Sequence, residues 1–378
     1  MSGFVFSEKP IDIDHGEGPY LYSEDGTEYL DFGASYAVAP LGHSHPDVTE
    51  SIQHQAETLT YVQASYPVDV RTELYERLGD LAPGDLSKVW LCNSGTEANE
   101  AAMKFARSAT GNSKIVATKR AFHGRTMGAL AMTWKQKYKK DFEPLAGDIE
   151  FVTYGDEEEL ADVVDDETAA VFLEPVQGEG GIHPATVDYL ESAREVTAEA
   201  GAALVFDEIQ TGVGRTGTLW ACEQAGVVPD ILTSAKGIAN GMPLGATLCA
   251  DWIAEDCGNH GSTFSGGPVV AAASNATLET LMDEEIPAHA DEIGEYMTAE
   301  IEAAAEEHDL PIREVRGNGL MIGVEVKRGA NRVLRDLAIN HQVLALPAGR
   351  TVVRFLPPLI IEKDHVDTVV DALTEALS

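Results

Sequence analysis

The stretch Ala203-Leu204-Val205-Phe206-Asp207-Glu208 and its counterpart Ile231-Leu232-Thr233-Ser234-Ala235-Lys236 decide how this chain is read. Each is an apolar run too short for a helix, and each ends in charge. Runs of four to eight residues without polar alternation suit strands buried on both faces, as in parallel sheets. Three more such runs, Lys88-Val89-Trp90-Leu91, Lys114-Ile115-Val116-Ala117 and Ala170-Val171-Phe172-Leu173, alternate with helical stretches. The alternation predicts an α/β fold with a mostly parallel sheet and helices on its faces. Carboxylates at the C-terminal end of such a strand stand where open α/β sheets bind ligands. A lysine in the same cleft loses solvation, and its lowered pKa makes it a usable amine nucleophile. For either residue alone, a solvated surface charge is the better reading of the sequence.

Outward from this centre, Tyr20-Leu21-Tyr22 and Tyr29-Leu30-Asp31-Phe32 flank Asp25-Gly26 and predict a hairpin. Downstream, Asp291 to Asp309 carries eight acids and no Lys or Arg, interleaved with Ile293, Met297 and Ile301, which predicts a helix with a solvated acidic face. Strands are expected at 319–326 and 351–356. In a final helix, Val366, Val369, Val370 and Leu373 share one face. The length of 378 residues suggests two domains, with a boundary near residue 275.

Composition narrows the function classes. Apolar residues at 44% and charged residues at 24% exclude disorder as the main state. Lys plus Arg number 26 against 63 Asp plus Glu, a net charge of −37 that repels nucleic acid. Acid spread over many elements fits a halophile's cytoplasm, where salt screens self-repulsion. No run of 18 apolar residues predicts a membrane span, and the first ten residues have neither the basic start nor the apolar core of a signal peptide. Cys92, Cys222, Cys249 and Cys257 form no C-x-x-C pair and read as reduced thiols of a cytoplasmic protein.

Chemistry enters at Asn93-Ser94-Gly95-Thr96-Glu97, which follows a strand and opens a helical run. Small residues at a helix N-terminus leave backbone N–H groups free to hold a phosphate; an ordinary helix cap uses the same residue types. A phosphate cradle, a strand-end Asp and a strand-end Lys together match what pyridoxal phosphate requires.

The sequence resembles the class III (subgroup II) pyridoxal-phosphate aminotransferases over nearly its whole length. The resemblance is carried by 41–46 (Leu-Gly-His-Ser-His-Pro), 93–102, Phe122-His123-Gly124-Arg125-Thr126, 174–181 (Glu-Pro-Val-Gln-Gly-Glu-Gly-Gly), 206–212, the Lys236 strand, Gly261-Ser262-Thr263-Phe264 and 353–358 (Val-Arg-Phe-Leu-Pro-Pro). It implies a fold-type I transferase. Residues 51–275 would be a large cofactor domain and 276–378 a smaller α+β domain, with 1–50 packing against the latter. It further implies that Lys236 is the Schiff-base lysine and Asp207 the pyridinium partner. Ser94, Gly95 and Thr96 would hold the phosphate, joined by Thr263 from the neighbouring subunit of a homodimer. Phe122 would stack on the ring and Gln210 would bond its phenolic oxygen. Arg354 would clamp the α-carboxylate of glutamate or 2-oxoglutarate and pair with Glu179 when that carboxylate is absent. Arg125 and Ser262 would contact substrate. A guanidinium grips a carboxylate bidentately, as a lysine does not. The family often reads Thr-Phe-Gly-Gly-Asn-Pro where this chain has Thr263-Phe264-Ser265-Gly266-Gly267-Pro268.

Within the family the chain is most similar to the acetylornithine type and its carrier-dependent (LysW-type) relative. The latter aminates aminoadipate or glutamate semialdehyde on an acidic amino-group carrier protein in lysine and arginine biosynthesis. Seven basic residues in 119–140 (Lys119, Arg120, Arg125, Lys135, Lys137, Lys139, Lys140) would attract such a carrier, although a solvated basic surface reads the same way. Ornithine or 4-aminobutyrate aminotransferases and a glutamate-1-semialdehyde aminomutase share the motifs. Gly212-Val213-Gly214-Arg215-Thr216-Gly217 matches the dinucleotide pattern but opens no clear helix, and it reads as a flexible turn. His43 and His45 read as loop residues rather than metal ligands.

Overall fold

Short runs of apolar, β-branched and aromatic residues stand well on a buried pleated surface. Among the described residues they assemble into three sheets and a two-stranded ribbon. The computed structural model describes residues 9–378, so the expectation about a signal peptide rests on residues almost wholly outside it.

Ile13–Glu17 (β1), Tyr20–Ser23 (β2) and Glu28–Asp31 (β3) form an antiparallel meander with the expected turn at Asp25-Gly26. The seven-stranded central sheet contains Lys88–Cys92 (β4), Lys114–Thr118 (β5), Asp148–Val152 (β6), Thr168–Leu173 (β7), Ala203–Asp207 (β10), Ile231–Ser234 (β11) and Gly245–Cys249 (β12), in the order β4-β12-β11-β10-β7-β5-β6. The ribbon is Val176–Gln177 (β8) with His183–Pro184 (β9). Neighbours from β6 to β11 run parallel, whereas β12 is antiparallel to both β11 and β4.

Alternation along β10 builds two cores. Ala203 and Val205 pack with Ala101, Met103 and Phe105 of the helix Gly95–Thr110. Leu204 and Phe206 lie in the other core, with Tyr189 and Leu190 of the helix Val187–Ala200. The sheet is thus covered on both faces, as its unbroken apolar strands require.

The C-terminal strands are Ile312–Asn318 (β13), Met321–Val326 (β14), Val343–Leu344 (β15), Leu346–Ala348 (β16) and Val352–Phe355 (β17). The sheet β13-β14-β17-β16 is antiparallel, while β15 leaves it to pair in parallel with β3. β14 starts two residues later than expected because Gly319 (φ 50°) and Leu320 make the turn between β13 and β14. The acidic helix, Ile286–Glu307, buries Ile293, Met297 and Ile301 and turns Asp291, Glu292 and Glu295 to solvent. It packs against Lys363–Leu377, whose buried face includes Val366, Val369, Val370 and Leu373. Residue 275 lies inside the helix Pro268–Asp283. Among the described residues no helix is long and apolar enough to cross a membrane.

Candidate active site

Parallel strands deliver their last residues to one edge of a sheet, and here that edge meets a helix N-terminus. The ends of β10 and β11 and the start of Gly95–Thr110 surround a cavity of about 440 Å³, lined among others by Ser94, Gly95, Thr96, Phe122, Asp207 and Lys236.

Asp207 closes β10 and is 4% exposed. Its Oδ2 accepts from His123 Nδ1 at 2.7 Å and from Asn99 Nδ2 at 2.8 Å, and its Oδ1 from the Ile209 amide at 3.1 Å. Thr233 Oγ1 donates to Asn99 Oδ1 at 2.8 Å, which fixes that amide's orientation. Burial alone would lower the pKa of His123, but the hydrogen bond and charge of Asp207, with the charge of Glu174, raise it. The raised pKa favours a protonated His123 beside the Asp207 carboxyl group.

Lys236 follows β11 by two residues with φ 45°. Protein encloses its side chain except where it faces the cavity. This burial holds the ammonium down to about 8, against the pull of Glu179 and Asp207.

At the helix start, Ser94 Oγ accepts from the Glu97 amide at 3.3 Å. The first amides of a helix have no partner within it, so those of Gly95 and Thr96 are available to a ligand. A Cβ at Gly124 would collide with the side chain of Thr96, and one at Gly245 would lie 2.6 Å from the Ser94 carbonyl oxygen.

Glu179 also lines the cavity. Arg354, on β17, is fully buried behind it. Its Nη2 lies 2.5 Å from Glu179 Oε1, and its Nη1 donates to Gln210 Oε1 at 3.1 Å. Burial would raise the pKa of Glu179, but Arg354 overrides it and holds the carboxyl low.

Residues 6–377 match the family described as Aminotransferase class-III. The chain belongs to the class-III aminotransferases. It is 44% identical to a [LysW]-aminoadipate semialdehyde transaminase of Deinococcus radiodurans, over 99% of this chain and 87% of that relative. It is 42% identical to an acetylornithine aminotransferase of Methanosarcina mazei, over 98% and 93%. Among solved structures it resembles an ornithine aminotransferase of Toxoplasma gondii reported with partial occupancy of PLP, at TM-score 0.93 and 30% identity, over 98% of this chain and 90% of that one.

In this aminotransferase Arg125 stands exposed at the cavity rim, its guanidinium carbon 4.3 Å from the Tyr138 ring centre and 5.9 Å from that of Phe122. Ser262 and Thr263 do not line the cavity. Ser262 touches its edge by accepting from Asn93 Nδ2 at 3.3 Å. Thr263 is exposed in a separate recess with Tyr61 and Gln63, and its carbonyl accepts from Tyr61. Ser265, at the family's glycine position, donates to the Leu91 carbonyl.

Three polar residues of the site had no role from sequence. His123 was quoted only within its motif, and Asn99 and Glu174 only within theirs. Glu174 is buried, which raises its carboxyl pKa. It accepts from the amides of Phe122 at 3.0 Å and Gly178 at 3.3 Å, and so ties two walls of the cavity together.

One expectation needs correction. The Gly212–Gly217 turn is packed rather than flexible: every residue from Gly212 to Thr216 is buried. His43 has an acid partner that the sequence did not suggest, Asp31, whose Oδ2 lies 2.9 Å from its Nε2. His45 occupies the N-cap position of the helix Pro46–Thr58. Among the described residues no group of three His, Cys, Asp or Glu could hold a metal. The basic segment is partly spent internally. Lys119 pairs with Glu159 at 3.0 Å, and Lys135 and Lys139 donate to the carbonyls of Glu179 and Ala131.

Proposed function

We propose that the cavity holds pyridoxal phosphate and that the enzyme exchanges an amino group between glutamate/2-oxoglutarate and the semialdehyde of an N-acylated or carrier-linked substrate of arginine or lysine biosynthesis. The observation carrying this reading is Lys236, its ammonium pKa lowered by burial, in one cavity with Asp207 and a free helix N-terminus.

The donor set fits the cofactor. Free amides of Gly95 and Thr96 suit a phosphate. The carboxyl group of Asp207, hydrogen-bonded to His123, suits a protonated pyridine nitrogen, and the Phe122 ring suits stacking on it. When bound, pyridoxal phosphate supplies an aldehyde that condenses with amines and a ring that accepts the electrons of a broken C–H bond.

The chain's own groups do the rest. Lys236, whose ammonium burial lowers to about 8, takes a proton from the donor carbon once deprotonated and returns it elsewhere as general base and acid. Arg354 receives the α-carboxylate of the diacid. When the ω-amine substrate enters, Glu179 returns to Arg354, so one pocket serves both partners. Arg125, at the rim, meets the distal carboxylate.

We read residues 51–275 as the cofactor domain and 276–378 as the smaller one. The pairing of β3 with β15 supports the packing of 1–50 against the latter. Thr263 would serve the site of a second copy, and the exposure of Phe264 (62%) beside it supports that homodimer. The names of the two relatives support either an acidic carrier protein or a free acetylated substrate. The acid excess suits a salt-rich cytoplasm.

The test is turnover of free N-acetylornithine against carrier-linked ornithine and lysine, each with 2-oxoglutarate. Activity on at least one is expected, with loss of more than a thousandfold in Lys236→Ala. Normal turnover in that variant removes Lys236 from its role.

A further inference from the structure

β10 ends at Asp207, and the loop leaving it carries Gln210 to the same cavity and then makes the Gly212–Gly217 turn, which the chemistry above does not use. Left-handed φ angles at Val213 (60°), Gly214 (85°) and Gly217 (102°) shape that turn.

At its centre Arg215 is 2% exposed. Burial alone pushes its guanidinium down to about 9, and among the described residues no carboxylate offsets this. Its Nη1 donates instead to two carbonyls, those of Leu320 at 2.9 Å and Pro357 at 2.6 Å, while Nη2 is buried without a partner. The Arg215 carbonyl in turn accepts from the Leu320 amide at 3.0 Å. A cation buried without a counter-ion is costly, and an apolar side chain would fill the space at less expense. What the guanidinium adds is its hold on those carbonyls.

Their location is informative. Leu320 immediately precedes β14, and Pro357 lies two residues beyond β17. These strands pair with Ile322 opposite Phe355 and Gly323 opposite Arg354. One guanidinium therefore grips both strands at the same end of their ladder, next to Arg354. The turns interlock without side chains between them: a Cβ at Gly319 would lie 2.5–2.9 Å from the backbone of 215–217. Gln210, on the same loop, already meets Arg354 directly. The loop thus holds Arg354 from two directions, by Gln210 at the guanidinium and by Arg215 through the strand.

We propose that Arg215 is a positioning residue for recognition of the diacid substrate, fixing the Arg354 strand against the loop that follows Asp207 and carries Gln210. This deepens the reading of Arg354 as the carboxylate clamp and rests on it. A guanidinium–carboxylate pair is directional, and a displacement of about 1 Å costs a large factor. The ω-amine substrate, during whose turn Glu179 occupies Arg354, is insensitive to it.

The test follows the two half-reactions of the holoenzyme separately, with glutamate and with the ω-amine donor it turns over best, in Arg215→Met, Arg215→Lys and Arg354→Gln. Arg215→Met raises the KM for glutamate and 2-oxoglutarate about tenfold. It leaves kcat/KM for the ω-amine within about twofold. Arg215→Lys gives the same split to a smaller degree and carries the comparison if Arg215→Met does not fold. Equal losses in both half-reactions, or an unchanged diacid KM while Arg354→Gln is impaired, overturn the inference. If Arg354→Gln leaves the diacid KM unchanged, the clamp reading itself falls, and this inference with it.

Discussion

Lys236 shows what a single buried amine does to the protein around it. Its pKa of about 8 in the fold, against an ordinary 10.5, means the fold disfavours the charged form. Below pH 8 the cofactor-free protein bears the full penalty, up to about 3 kcal/mol. As pH rises from 8 to 10.5 the unfolded chain binds the extra proton, so the penalty fades. Lys236→Met should therefore stabilise the cofactor-free protein most at pH 7, and the gain should shrink by pH 10. Urea unfolding of both proteins at the two pH values measures it, and a pH-independent difference contradicts the assignment. The ends of β10 and β11 pointed to Asp207 and Lys236 because charge after an apolar run is visible in sequence. Asn99 was not legible: it meets Asp207 across 108 positions, and only folding reveals what a mid-helix amide faces.

Among the secondary elements, β12 is the least visible in sequence and among the most consequential. Gly245-Ala246-Thr247-Leu248-Cys249 lacks the branched run that marked its neighbours, and it runs against them. Its Gly245 lets the Ser94 backbone descend onto the sheet. Gly245→Ala puts a methyl against that carbonyl and should cost about 1–3 kcal/mol in stability. By lifting the helix start, it should also weaken cofactor affinity at least fivefold, read by titrating the cofactor-free protein with pyridoxal phosphate. Unchanged affinity would separate the helix N-terminus from the phosphate. The amphipathic final helix, by contrast, was readable from its period alone, because one solvated face leaves a clean pattern.

The molecule as a whole carries −37 charges. The acidic helix Ile286–Glu307 has few cations beside it: Lys363 pairs with Glu292 at 2.8 Å. Self-repulsion destabilises the compact state, and added salt screens it. The melting temperature should therefore rise by more than about 5 °C between 0.1 and 2 M KCl, measured by calorimetry; a flat or falling curve would set the acid surface apart from salt adaptation.

The junction of β3 with β15 has a kinetic side. Leu30 pairs with Val343, and the Leu356 amide donates to Phe32. During vectorial synthesis this meander leaves the ribosome with one edge bare, and the strand that covers it is translated only after the whole central sheet. Folding of the meander thus waits on a strand far along the chain, and the wall bearing Arg354 is raised after the central sheet.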